Sequence, residues 1–141
     1  MSYQHVLVPY DGTARADQAL RAGARLARDA GAQLTIAAVV ELATPCRSCA
    51  NCGITVGHWN RMMREHAWEQ LLHARTLLDI PAHLELMCGH GQRVLTDGAR
   101  ELGADAIVLP ARSGPLARLL GRGRPPWAVR RRAHCAVLQL R

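Results

Sequence analysis

Short apolar runs and helically spaced apolar stripes alternate along this chain, which predicts strands separated by helices. Strands are predicted at 5–9, 33–40, 82–88, 104–109 and 135–140. Between them, apolar residues recur every three or four positions at 14–30, at 58–78 and again after Gly91. Thr13 is placed to cap the first helix, Gly31 to end it, and a shorter helix is predicted at 126–132.

This alternation predicts the α/β class, with a parallel sheet, right-handed crossovers and helices on both faces. Ligands of such folds bind outside the carboxyl ends of the strands, where the strand order reverses. In this sequence those ends are the segments 11–13, 39–41 and 110–124. A ligand site is therefore predicted where the first and fourth strands end.

A length of 141 residues is that of one domain, and we expect a single domain over 1–141 with a cysteine-rich insertion at about 42–57. The chain has no run of about 18 apolar residues, so no membrane span is predicted. Residues 1–9 lack the charged and then apolar layout of a signal peptide. Together these features lead us to expect a cytoplasmic protein.

Positive charge is concentrated at the carboxyl-terminal end of the chain. The formal net charge is +7, and arginine supplies every fixed side-chain cation because lysine is absent. No acidic residue follows Asp105, and phosphates or acidic partners are therefore plausible ligands. The arginines in this region are Arg112, Arg118, Arg122, Arg124, Arg130, Arg131, Arg132 and Arg141.

Three of the five cysteines form a C-x-x-C-x-x-C run, Cys46, Cys49 and Cys52. This spacing lets neighbouring thiolates reach one ion from a single loop, and His58 could complete a tetrahedral zinc site. Cys88 is an alternative fourth ligand. A thiol redox switch and a loop whose cysteines have no special role are the other two interpretations.

The second helix carries two stripes at helical spacing. One is polar and rich in metal-binding residue types, and the other is apolar and predicted to face the core. The polar stripe is His58, Met62, His66, Glu69 and His73, and the apolar stripe is Trp59, Met63, Ala67, Leu71, Ala74 and Leu78. The polar stripe is either a solvated face or, at His58, Met62 and His66, a contributor to the zinc site.

The sequence resembles the universal stress protein family at 6–13 (VLVPYDGT), 30–36, 39–41, 101–109 (ELGADAIVL), 113–114, 116–121 and 133–138. The resemblance implies a Rossmann-like three-layer open sheet of five parallel strands in the order 3-2-1-4-5. It also implies a homodimer paired through the last strand. Many members of the family bind ATP and others do not, so an adenine nucleotide is the ligand that the resemblance suggests.

The family's ATP binders carry Gly-x-x-Gly, nine residues, and then Gly-Ser or Gly-Thr, and this sequence departs from that pattern. One alignment places Pro110 and Ser113 at the first two glycines and ends on Gly123-Arg124. The other starts from Ser113-Gly114 and ends on Gly121-Arg122. In both, arginine replaces the hydroxyl residue, and Pro110 has no N–H to offer a phosphate.

Asp11 and Val39 do match the positions that contact the nucleoside in those binders. Two hypotheses follow: nucleotide binding is lost, or arginine side chains replace the backbone amides as ligands of the phosphates. The predicted nucleotide-binding residues are Pro9, Asp11, Val39, Pro110, Arg112, Ser113, Gly121, Gly123 and Arg124, with Arg118 and Arg122 as further phosphate ligands.

The sequence contains no serine–histidine–acid motif and no P-loop, so a role in binding is favoured over catalysis. Three classes of function follow in order. The first is a stress-response binding or regulatory module, the second a zinc- or thiol-based sensor, and the third a slow nucleotide hydrolase, which the replaced glycines disfavour.

Overall fold

The computed structural model describes residues 3–43, 55–89, 93–110 and 134–140. Within these ranges strands and helices alternate as far as the fourth strand. In chain order they are β1 (His5–Pro9), α1 (Ala14–Ala30), β2 (Gln33–Val40), α2 (Val56–Thr76), β3 (His83–Cys88), α3 (Arg93–Leu102), β4 (Ala106–Leu109) and β5 (Ala136–Gln139). The helix predicted at 126–132 lies outside the described residues.

The five strands form one parallel sheet in the order β3-β2-β1-β4-β5, which confirms the predicted topology. β1 lies in the middle and pairs with β2 on one side and β4 on the other. The chain leaves β1 toward β2 and β3 and later returns to the other side of β1 to form β4. The strand order therefore reverses between β1 and β4.

Successive side chains of β1 point to opposite faces of the sheet, and both faces are covered. Val6 and Val8 pack with α1 and α2 on one face, whereas Leu7 packs with α3 on the other. All three side chains have no exposed surface. Full burial of such a side chain is worth about 1.5–3 kcal/mol, so β1 is a main source of stability.

A carboxylate holds the amino ends of β1 and β4 together. Asp105 accepts hydrogen bonds from the backbone amides of Gln4 (2.8 Å) and His5 (2.9 Å), and its own amide donates to the carbonyl of His5 (3.0 Å). Burial opposes the charged form, but the backbone amides of Gln4, His5 and Asp105, together with the charge of His5, hold the pKa of the Asp105 carboxyl below its ordinary value. Because residue 105 makes these contacts, β4 begins at Ala106 rather than at the predicted residue 104.

The start of α1 is fixed by two side-chain hydrogen bonds. The Thr13 hydroxyl accepts from the amide of Ala16 (3.2 Å), which is the predicted helix cap. The buried Tyr10 hydroxyl donates to Oδ1 of Asp17 (2.6 Å). Burial, with the neighbouring Asp17 and Asp11 carboxylates, raises the pKa of the Tyr10 phenol well above its ordinary value.

Helix α2 begins earlier than the predicted residue 58, because Thr55 caps it by accepting from the amide of His58 (3.1 Å). Its core contacts begin with Met63, which is partly buried, and the first fully buried residue is Ala67. Trp59, one turn before Met63, is 44% exposed, so its predicted place on the core face is wrong. Within the described ranges, no helix has the length and apolarity needed to span a membrane.

Helix α1 approaches β1 so closely that Gly23 has no room for a side chain. A Cβ atom built there would lie 2.4 Å from Cγ2 of Val8, which is itself fully buried. We expect Gly23→Ala to destabilise the fold by about 1–3 kcal/mol, since overpacking outweighs the roughly 1 kcal/mol gain in helix propensity. Urea unfolding measures the difference.

Gly98→Ala is the matched control, because a Cβ there meets only the flexible end of Met87, with Cε at 2.5 Å. Met87 can move aside, so this variant should lie within about 1 kcal/mol of the wild type. Equal destabilisation by the two substitutions would contradict the close packing of α1 on β1.

The hydrogen bond from Tyr10 to Asp17 predicts a loss of stability in alkali. The phenol pKa is raised on folding from 10.0, so its contribution is fully present below pH 10 and is lost as the pH rises further. Tyr10→Phe should cost about 1 kcal/mol near pH 8 and should reduce the decline in unfolding free energy above about pH 10. Tyr3→Phe, which keeps the Tyr10–Asp17 bond, should retain that decline, and identical pH dependence in all three proteins would refute the assignment.

Candidate functional site

The carboxyl ends of β1, β2 and β4 meet at one edge of the sheet. Pro9 pairs with Ala37, so Asp11 and Val39 each lie two residues beyond a paired position on adjacent strands. On the other side of β1, Pro110 directly follows the end of β4. The structure thus brings four of the predicted residues, Pro9, Asp11, Val39 and Pro110, to the same edge.

The Asp11 carboxylate is held by the turn that follows β1. Its Oδ1 accepts from the backbone amide of Thr13 (3.1 Å) and from the Thr13 hydroxyl (2.7 Å), as in an Asx turn. Its Oδ2 has no hydrogen-bond partner among the described residues. One carboxylate oxygen therefore fixes the turn, and the other is left for a ligand hydroxyl or amino group.

The backbone of Val39 faces the space beyond the end of β1. The last hydrogen bond between β1 and β2 runs from the Tyr10 amide to the Ala37 carbonyl, at 2.7 Å. Alternate residues of a strand direct their N–H and C=O groups toward the same neighbour. The N–H and C=O of Val39 thus point past Tyr10, and within the described part of the chain neither has a partner.

The residues at the strand ends beside these polar groups are apolar. Pro9 and Pro110 are buried, and Val39 is half-buried against the core on the α3 face of the sheet. The site therefore combines one carboxylate oxygen, one main-chain donor and one main-chain acceptor with apolar surface. This is the usual make-up of a small-molecule site.

Helix α2 supplies two contacts to this edge that sequence reasoning missed. Gln70 Nε2 donates to the carbonyl of Asp11 (3.1 Å). The Asn60 side chain holds both backbone groups of Ala43, accepting from its amide (2.8 Å) and donating to its carbonyl (3.2 Å). No local pattern could indicate these pairs, because the partners are far apart in the sequence.

The residues predicted to bind the phosphates are Arg112, Arg118, Arg122, Arg124, Ser113, Gly121 and Gly123, and all lie outside the described residues. Of the family's phosphate-binding positions, only Pro110 is described. It is buried and follows β4 directly. The phosphate-binding role of the residues outside the described ranges stays a prediction.

Of the predicted zinc ligands, Cys46, Cys49 and Cys52 lie outside the described residues, whereas His58 is exposed in the first turn of α2. The rest of the polar stripe, namely Met62, His66, Glu69 and His73, is exposed as well. In the described ranges, no three histidine, cysteine or acidic side chains are grouped closely enough to hold a metal ion. The stripe by itself is therefore a solvated helix face.

A concave surface lies between β3 and α3, on the face of the sheet that α3 covers. This cleft has a volume of about 440 Å³. Its polar lining includes Glu85, Asp97 and Glu101, together with Arg93. Its lining includes neither Asp11 nor Val39, but Met87 and Cys88 in that lining pair with Val39 and Val40 of β2. The sequence did not indicate this cleft.

Comparison with known proteins points to one family. The model of the universal stress protein family matches residues 2–46, which run from before β1 past the end of β2. Comparison with curated proteins gives no significant match.

Solved structures resemble the chain over nearly its whole length. A universal stress protein family member from Burkholderia pseudomallei is 27% identical, with a TM-score of 0.73 over 98% of this chain and 96% of that one. UspA from Lactobacillus plantarum is 22% identical, with a TM-score of 0.76 over 100% and 99%. The universal stress protein from Archaeoglobus fulgidus in complex with dAMP is 24% identical, with a TM-score of 0.67 over the whole of both chains. In sequence over residues 2–46, and in the order of its five parallel strands, the chain is thus similar to the universal stress protein family.

Proposed function

We propose that the protein is a stress-response module that binds the adenosine part of an adenine nucleotide at the carboxyl ends of β1 and β2. The observation that carries this proposal is the open main chain of Val39 beside the fixed carboxylate of Asp11. A donor and an acceptor on one residue match adenine, which presents an acceptor nitrogen beside its amino group. The Archaeoglobus fulgidus relative, whose complex contains dAMP, supports the same ligand class.

The carboxylate of Asp11 complements a sugar hydroxyl or an amino group. Carboxylate oxygens accept hydrogen bonds, and bonds to a charged acceptor are stronger than neutral ones. Thr13 donates to Oδ1, and no described residue donates to Oδ2, so Oδ2 can accept a hydrogen bond from the ligand. The half-buried side chain of Val39 provides apolar surface against which a base can pack.

The ATP-binding members of the family bind the phosphates through a glycine-rich pattern, and this sequence departs from that pattern. Pro110 cannot donate a backbone hydrogen bond, so we propose that Arg112, Arg118, Arg122 and Arg124 bind the phosphates in place of backbone amides. This proposal predicts that ATP binds more tightly than adenosine and that the difference shrinks as salt is added.

Calorimetric titration with adenosine and with ATP tests the site. Asp11→Asn removes the negative charge at nearly constant shape and should weaken adenosine binding by roughly 10-fold, the equivalent of about 1.4 kcal/mol. Asp29→Asn is the matched control, since Asp29 is exposed on α1 near its far end. If the wild-type protein shows no saturable binding of either ligand at millimolar concentration, the proposed function is wrong.

We further propose a homodimer that pairs through β5. This strand is at an edge of the sheet, and Leu138 on it is 37% exposed. An unpaired strand edge is a ready template for pairing with another chain. The family resemblance favours the same strand.

The cysteine loop is the site of a separate proposal, in which Cys46, Cys49, Cys52 and His58 bind one zinc ion. The sequence spacing supports it, together with the exposed position of His58 in the first turn of α2, three residues after the capping Thr55. Four such ligands would make a closed, structural site rather than a catalytic one.

Native mass spectrometry of protein purified without chelator tests both of these proposals. We expect twice the chain mass plus one zinc ion per chain. Cys49→Ser should lose the zinc and keep the dimer, whereas Leu138→Arg should keep the zinc and shift the population toward monomer by placing like charges at the paired edges. A metal-free wild type would refute the zinc site, and a monomeric one would refute pairing through β5.

A further inference from the structure

Gln70 reaches from the middle of α2 to the turn that carries Asp11. Its side-chain amide donates to the backbone carbonyl of Asp11 at 3.1 Å, and the residue is half-buried. This carbonyl belongs to the peptide group between Asp11 and Gly12. The hydrogen bond therefore acts on the backbone of the turn and leaves the Asp11 carboxylate open.

The side-chain amide of Gln70 packs closely against Gly12, the next residue of the turn. Its φ is +82°, a conformation that side-chain-bearing residues rarely adopt. A Cβ atom on Gly12 would lie 2.7 Å from Nε2 and 3.3 Å from Cδ of Gln70. The side chain of Gln70 thus lies directly against the bare α-carbon of Gly12.

The turn needs such an external contact because of the glycine. Glycine adopts positive and negative φ about equally readily, so the Asp11–Gly12 peptide group has more than one accessible orientation. A donor fixed on α2 favours the orientation that points the Asp11 carbonyl toward it. The opposite side of the turn is held by Thr13, which binds Oδ1 of Asp11.

We propose that Gln70 is a positioning residue that sets the direction of the Asp11 carboxylate and so determines the affinity for adenosine. This inference rests on the proposed function. It also makes α2 a regulatory element of the site, because the same helix holds Ala43, just after β2, through Asn60. A displacement of α2 would move the segments that follow β1 and β2 together.

Gln70→Met removes the donor and keeps a side chain of similar length. We expect it to weaken adenosine binding about 5- to 10-fold, the size expected for one lost hydrogen bond at a preorganised site. Gln70→Lys restores a donor and should recover most of the affinity. Adenosine is the chosen probe because it is uncharged, so the added lysine charge does not attract it directly. Gln18→Met, on the exposed face of α1, is the matched control and should bind as the wild type does.

A double-mutant cycle separates positioning from a general structural effect. If Gln70 acts through Asp11, Gln70→Met should cost little further affinity in an Asp11→Ala background. Circular dichroism melting of each variant confirms that it is folded.

The outcomes distinguish this inference from the proposed function on which it rests. If Gln70→Met binds adenosine as tightly as the wild type, or if its effect is the same with and without Asp11, the positioning role is refuted while adenosine binding stands. If the wild type itself does not bind adenosine, both are refuted.

Discussion

The parallel pairing of β1 with strands on both of its edges is the constraint on which the rest of the structure depends. β1 is covered on both faces, so Val6, Leu7 and Val8 are fully buried. It is also the strand at which the order reverses, because β2 and β3 lie on one side of β1 and β4 and β5 lie on the other. Its carboxyl end is where a ligand is expected to bind, because the strand order reverses there.

Two features keep β1 in this position. At the amino end, Asp105 binds the amides of Gln4 and His5 and so ties the start of β1 to the start of β4. Along its length, the missing side chain of Gly23 lets α1 approach Val8 at a distance that any other residue would obstruct. The packing thus fixes the strand, and the strand fixes the starting point of the turn that carries Asp11.

The site itself arises because β1 ends before β2 does. β2 continues to Val40, whereas β1 ends at Pro9, so the backbone groups of Val39, beside Asp11, have no partner among the described residues. The segments that follow β1 and β2 are held by α2, through Gln70 at the Asp11 carbonyl and Asn60 at the backbone of Ala43. The sheet thus places the segments that follow β1 and β2, and two polar side chains of α2 orient the backbone of these segments.

Local patterns predicted much of this fold, and long-range contacts account for what they missed. The bounds of α1 followed from Thr13 and Gly31, and β2 from its apolar run, because caps and burial act over a few residues. The start of α2 was missed because its cap, Thr55, lies in a segment rich in turn-forming residues. Trp59 was misplaced because helical spacing does not reveal where a helix first meets the sheet.

The candidate site was predictable only where it depends on the ends of strands, and not where it depends on a long-range contact. Asp11 and Val39 could be placed at one edge because strand ends meet in a parallel sheet. Gln70 could not be, since its partner is 59 positions away in the sequence and glutamine on a helix carries no signal of such a contact.

The most direct test of the account is to follow backbone amide NMR signals while adenosine is added to the wild-type protein. If adenosine binds at the end of β1, the largest changes should occur at Asp11, Gly12 and Val39, and the signals of Gly98 and Glu101 in the cleft between β3 and α3 should not change. Changes confined to that cleft, or no changes at millimolar adenosine, would contradict the assignment of the ligand site to the end of β1.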